Sequence, residues 1–153
     1  MNMTFTSRDA AVGLGAASLA ALLFAYVSQY GFGLLPCHLC MWQRVPYGIA
    51  IFAAFAATKM NPKPVLWFMA ALFMAGAGIA FFHVGVEKLW WEGTNACTHV
   101  FDSSDIEKLR EQILQPKPRC DAVAWQMFGI SMAGYNVAYS LVLASIAIFF
   151  ARK

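Results

Sequence analysis

Charge along this chain is confined to short stretches that separate long apolar runs. No Lys, Arg, Asp or Glu occurs from Ala10 to Gln43, Val45 to Thr58, Val65 to Val86, or Ala122 to Ala151. A bilayer core about 30 Å thick takes about 20 mostly apolar residues in one helix. Each run therefore predicts a membrane span, at approximately 10–28, 41–58, 65–86 and 132–151. The second reaches spanning length only by starting near Cys40, with Arg44 in its first turn. The fourth run is too long, so its beginning is expected in the interface. Pro46 and Tyr47 read as a helix start and an interfacial aromatic.

Two other readings of this pattern fail. A soluble bundle needs charged helix faces, and these runs have none. A secretory leader would explain Arg8 before an alanine-rich stretch, but that stretch is longer than a leader core, shows no A-x-A site near its end, and precedes three more spans. The expectation is an all-α membrane protein, one domain over 1–153, built as a four-helix bundle with loops at about 29–40 and 87–131 on one side. Composition agrees: 60% of residues are apolar and 12% charged, against roughly a quarter charged in soluble domains.

Sidedness follows from the basic residues. With four spans, both termini and the 59–64 connection share a side, which holds Arg8, Lys59, Lys63, Arg152 and Lys153 against one acid, Asp9. The long loop is acidic on balance. By the positive-inside rule both termini are expected in the cytoplasm and both longer loops outside. The net charge of +3 is then a topology signal. It gives no support to nucleic-acid binding, because basic residues do not cluster with aromatics.

All four cysteines fall on the outward side, where disulfides persist. Cys37 and Cys40 form a CxxC at the start of the second span, and Cys97 and Cys120 lie in the long loop. A redox pair suits the CxxC, because one turn brings its sulfurs together and the helix N-terminus favours a thiolate. A zinc site is less natural, since the other two cysteines are not a second CxxC. Covalent haem fails because Met41 stands where CxxCH needs histidine. Arg44, four residues after Cys40, shares its helix face and can stabilise a thiolate or an electron-rich oxygen, or simply reach the head groups. His83 ends the third span four residues before Glu87, placed for a ligand or proton role or for a neighbour's hydrogen bond. In the long loop, Ser104-x-x-Glu107 reads as a capping box, and Ile106, Leu109, Ile113 and Leu114 repeat at helical spacing before Pro116, predicting a short amphipathic helix. Trp90 and Trp91 read as interfacial belt residues, and Trp125, Met127 and Phe128 as packing or lipid-facing ones, with a hydrophobic cofactor pocket as the lesser alternative.

These residues together resemble the DsbB family of bacterial membrane disulfide bond formation proteins. The resemblance rests on Pro36-Cys37-His38-Leu39-Cys40 with Arg44, and on His83-Val84-Gly85-Val86-Glu87. It extends through Cys97, Cys120-Asp121, Trp125, Phe128-Gly129-Ile130-Ser131-Met132 and Tyr135-Asn136, over essentially the whole chain. It implies an inner-membrane enzyme that reoxidises a periplasmic, thioredoxin-fold, DsbA-like oxidase and delivers the electrons to the membrane quinone pool, as ubiquinone or menaquinone. It further implies that Cys97 and Cys120 form a disulfide, that Cys97 takes the partner, and that Cys37 and Cys40 receive the electrons. Cys40, Arg44 and His83 would face the quinone, and no metal is implied. The competing classes are a cysteine-based metal transporter, which should carry polar or cysteine residues near the span midplanes, and a structural protein with inert disulfides.

Overall fold

A computed structural model of the chain describes residues 6–94, 97 and 118–153. Its long helices are α1 (Ser7–Gly31), α2 (His38–Lys59), α3 (Pro62–Glu87) and α4 (Met132–Arg152). Each is long and apolar enough to cross a membrane. The amphipathic helix expected around 104–114 lies outside the described residues.

Each helix is longer than the span predicted for it, and the caps explain why. At α1, the Asp9 N–H donates to Thr6 Oγ1 at 3.2 Å while the Thr6 N–H donates to Asp9 Oδ2 at 3.0 Å, a capping box that admits Arg8 and Asp9 to the first turn. At α2 the cap is Cys37, whose Sγ accepts the Cys40 N–H at 3.3 Å. Asn61 caps α3 ahead of Pro62, and Ser131 caps α4. Pro46 does not start a helix as expected; it stands inside α2, where it leaves the Trp42 carbonyl without its usual i+4 donor. Gly76 of α3 packs against the Pro46 ring.

The bundle is built inside out relative to a soluble protein. Its core is largely small residues, including Ala10, Ala11, Ala50, Ala54, Ala57, Ala70, Ala144 and Ala147 around Leu66, Met69 and Phe73. Phe24, Phe52, Phe55, Phe68 and Phe149 face outward. Lipid is as apolar as these rings, so nothing drives them inward; small residues instead let backbones approach closely. At the α1–α2 contact, a Cβ on Gly15 would overlap Ala54. Gly15→Ala is therefore expected to lower stability by about 1–3 kcal/mol through overpacking, checked by thermal unfolding in detergent. An unchanged transition would mean that the helices do not meet there.

The two ends of the bundle differ in chemistry. The Ser7 hydroxyl donates to the Phe150 carbonyl at 3.0 Å, and Arg152 lies over the Trp67 ring at 6.0 Å. The start of α1, the start of α3 and the end of α4 thus share one end. At the other end Cys37, Leu39, Val86, Cys97 and Cys120 form a buried cluster. Beside it, β1 (Gln126–Met127) and β2 (Ile130–Ser131) make a small antiparallel hairpin. Its turn uses positive φ at Phe128 and Gly129, the conformation a two-residue hairpin demands. The Tyr135 hydroxyl donates to the Met127 carbonyl at 3.0 Å, fixing the hairpin over the start of α4.

Candidate thiol and disulfide site

The α2 N-terminus sets the first cysteine pair. Because Cys37 is the cap and Cys40 lies in the first turn, their sulfurs come to 2.9 Å of each other, unbonded. His83 Nε2, from α3, lies 3.5 Å from Cys37 Sγ. Cys37, Cys40 and His83 offer three donor atoms within 4.8 Å of one another, which is also a metal-like grouping. The sulfur spacing separates the two uses: two thiolates on one tetrahedral zinc sit about 3.8 Å apart, given Zn–S bonds near 2.3 Å. At 2.9 Å the pair is placed to form a bond.

Cys97 and Cys120 are joined in a disulfide, with Cα atoms 5.1 Å apart. Both are buried against Cys37 and Val86 in the same cluster, so a single site unites cysteines that lie up to 83 residues apart in the chain. The Thr94 hydroxyl donates to Cys97 Sγ at 3.4 Å. The Cys120 backbone lies against the His83 ring. On the outer side, Arg119 donates to both Asp121 oxygens at 2.9 and 2.5 Å, holding the Asp121 carboxyl below its ordinary range. That pair is exposed and adds little stability.

At the cap, the Cys37 thiol is pulled down to about 4, first by its hydrogen bond with Cys40 and further by His83, against the opposing cost of burial. A depressed thiol is charged above its pKa. The thiolate ultraviolet absorbance of the reduced protein is therefore expected to persist from pH 9 down to about pH 5 and to fall to half near pH 4. Loss of that absorbance near pH 9 would show an ordinary thiol.

Cys40 opens onto a second feature, a cavity of about 540 Å³ between α1, α2, the hairpin and α4. Its walls are mostly apolar, with Ala21, Phe24, Leu35, Trp125 and Met132 among them, and its polar lining includes Arg44, Gln43, Tyr47 and Asn136. Among the described residues, Cys40 is the one cysteine in that lining. Arg44 donates to Gln29 Oε1 at 2.7 Å and stands 4.9 Å over the Tyr26 ring. The volume and the few convergent polar groups are those of a small-molecule pocket.

Several residues here carry more than the sequence suggested. Tyr47, read as interfacial, is buried and bonds to Asn136 and Ser140. Trp91, read as a belt residue, stacks on Phe82 with centroids 5.8 Å apart and donates its Nε1–H to the Phe82 carbonyl at 3.0 Å. That approach needs Gly85, where a Cβ would fall inside the indole. Gln43 and Ser140 are brought together with Tyr47, expected only as an interfacial aromatic, and Asn136, expected only within the family-like Tyr135-Asn136. Polar pairs at i, i+4 on apolar helices, Gln43 with Tyr47 and Asn136 with Ser140, were the available signal.

A four-helix membrane bundle with a CxxC at a helix start, a second cysteine pair packed on it and an adjoining apolar pocket defines a membrane thiol–disulfide oxidoreductase. The comparisons with known proteins agree. The family model for disulfide bond formation protein DsbB matches residues 7–150, and the chain belongs to that family. It is 30% identical over 138 residues to disulfide bond formation protein B of Acinetobacter baylyi, covering 83% of this chain and 81% of the relative. Against the protein of the same name from Dechloromonas aromatica it is 28% identical over 156 residues, covering 94% and 91%. No solved structure matches. The chain is therefore a multi-pass bacterial membrane protein of disulfide bond formation.

Proposed function

We propose that this chain reoxidises a DsbA-like, thioredoxin-fold dithiol oxidase in the periplasm and passes the electrons to a membrane quinone. One observation carries the reading: both cysteine pairs share one buried cluster, and Cys40 connects that cluster to the cavity holding Arg44. In the first exchange a partner thiolate attacks Cys97, forming a mixed disulfide and releasing Cys120. The partner's second thiolate then closes its own disulfide and releases Cys97. In the second, the reduced loop pair attacks the Cys37–Cys40 disulfide, so the loop is reoxidised and the inner dithiol formed. The dithiol closes again by giving up two electrons and two protons. Each exchange needs a thiolate within reach of a disulfide sulfur, and the shared cluster supports that reach.

The cavity's residues fit a quinone. Its apolar walls suit a planar ring, and Arg44 offers a cation to ring oxygens. The pairing of α1 with α4 is slight beside that of α3 with α4, which suits lateral entry of an isoprenoid tail, and the Tyr139 hydroxyl closes the far side by donating to the Ala17 carbonyl at 3.0 Å. When bound, a quinone supplies a two-electron, two-proton acceptor. Cys40 and Arg44 would hold it, with α1 and α4 excluding water from that wall of the cavity. The basic residues at the opposite end of the bundle favour cytoplasmic termini and periplasmic cysteines. The inner membrane is then the location.

The test is anaerobic mixing of purified protein with a reduced thioredoxin-fold oxidase and a soluble quinone. Catalytic quinone reduction is expected, measured by its ultraviolet absorbance. A rate no higher than without the protein would sink the reading. A transporter reading fares worse, because among the described residues no charged side chain lines a path through the bundle's centre, and the polar side chains there are hydrogen-bonded within the bundle.

A further inference from the structure

Polar residues of α2, α3 and α4 inside the bundle form one connected chain. His83 Nε2 lies 3.5 Å from Cys37 Sγ, and His83 Nδ1 meets Gln43 Nε2 at 2.8 Å. Gln43 Oε1 accepts from Asn136 Nδ2 at 2.5 Å. Asn136 Oδ1 accepts from the Tyr47 hydroxyl and, at 3.4 Å, from Ser140. The chain thus starts at the thiol pair and ends at Tyr47, with Gln43, Asn136 and Tyr47 all in the cavity lining.

An amide has one donor end and one acceptor end, so two amides in series transmit direction. At the cavity end, Asn136 Oδ1 accepts from the Tyr47 hydroxyl, which also lies 2.8 Å from Ser140 Oγ. Asn136 must then offer its NH2 to Gln43, and Gln43 its NH2 to His83. A histidine nitrogen that receives an N–H carries no proton, so in neutral His83 the proton sits on Nε2. The thiol end requires the same answer. As the thiolate favoured at a helix N-terminus, Cys37 Sγ accepts the Cys40 N–H at 3.3 Å and can face His83 only as an acceptor. Glu87 Oε1 lies 3.8 Å from Nε2, a second acceptor on that side. Glu87 Oε2 is buried without a hydrogen-bond partner among the described residues, so this carboxyl group has no stronger claim elsewhere. The thiol end imposes this polarity, and the hydroxyls at the cavity end accommodate it.

We propose that Gln43, Asn136 and Tyr47 are positioning residues that fix His83 with its proton on Nε2, aimed at Cys37 Sγ, so that Cys37 departs from a disulfide onto a ready donor. Deleting a link frees the ring to place its proton on Nδ1, away from sulfur. The same chain ties the thiol pair to the cavity, since a group that captures the Tyr47 hydroxyl removes the donor that satisfies Asn136 Oδ1 in this polarity. The proposal rests on Cys37–Cys40 being the inner redox pair, and its test needs no quinone.

Histidine 15N chemical shifts separate protonated from bare ring nitrogens, and the chain has 3 histidines, so His83 is assigned by its loss in His83→Gln. In the wild type at pH 8 the protonated nitrogen is expected to be Nε2. In Gln43→Leu the two tautomers should mix, and the pH midpoint of the Cys37 thiolate absorbance should rise by about one unit, tenfold in thiolate fraction at a given pH below the midpoint. Asn136→Leu, one link further from sulfur, should act in the same direction. A bare Nε2 in the wild type overturns the proposal outright, without relying on any variant's folding. So does a Gln43→Leu protein with unaltered shifts and midpoint. If the wild type reduces no quinone yet shows Nε2–H and the variant shift, the polarity stands and the assigned function falls.

Discussion

Cys40→Ala is expected to abolish quinone reduction while leaving the protein able to oxidise its partner once. Cys40 is the cysteine in the cavity lining, whereas Cys37 is turned to His83 and the loop disulfide. Deleting Cys40 leaves no sulfur on the electron exit, and the inner disulfide cannot form. Turnover should fall at least about a thousandfold, the scale on which enzymes lose rate when a reacting atom is removed. The Cys97–Cys120 disulfide is untouched, so one equivalent of partner dithiol is still oxidised in a single burst. Quenched thiol counting separates that burst from turnover. Sustained quinone reduction by the variant would remove Cys40 from the route. Loss of the burst as well would mean that the two pairs depend on each other structurally.

What the sequence disclosed and what it hid divide along physical lines. The four helices were readable because crossing a bilayer imposes a length and forbids charge, and both leave marks in one dimension. Helix starts were less so: Thr6, Cys37 and Asn61 each admit about three residues that hydropathy alone had excluded, because a cap acts through a single side chain. Cys37, Cys40 and Arg44 were visible because one helical turn brings them together. His83 stood out as a histidine in an apolar helix, but its contact with Cys37 spans 46 positions that no local pattern encodes. Gln43, Tyr47, Asn136 and Ser140 were the least visible. Each is unremarkable alone, and their meaning lies in mutual satisfaction across α2, α3 and α4, where every unpaired polar group would be costly. Proline misled for a related reason. In the sequence Pro46 reads as a helix start, where its missing N–H does no harm, yet in the bundle it serves as the surface on which Gly76 packs.

The order of events at the loop pair gives the second large effect. Attack by a partner thiolate on Cys97 releases Cys120, whose backbone lies against His83, the residue in contact with Cys37. The freed sulfur is then beside the inner pair. Attack on Cys120 would instead free Cys97, whose sulfur is held by the Thr94 hydroxyl. Cys97 is therefore expected to be the sulfur that captures the partner. In a Cys37→Ala, Cys40→Ala background, two proteins isolate the choice: one lacks Cys120 and keeps Cys97, the other the reverse. Each is mixed with a partner whose single cysteine carries an aromatic thiol in a mixed disulfide. Attack forms the bond between the two proteins and expels the coloured thiolate, so the rate is read directly. Cys97 should form the adduct at least about tenfold faster than Cys120, because access and the sulfur attacked govern exchange rates. Equal rates would leave the entrance unassigned to either sulfur and remove the directional role given to His83's contact with the Cys120 segment. Faster reaction at Cys120 would reverse the path, sending electrons to Cys37 from Cys97.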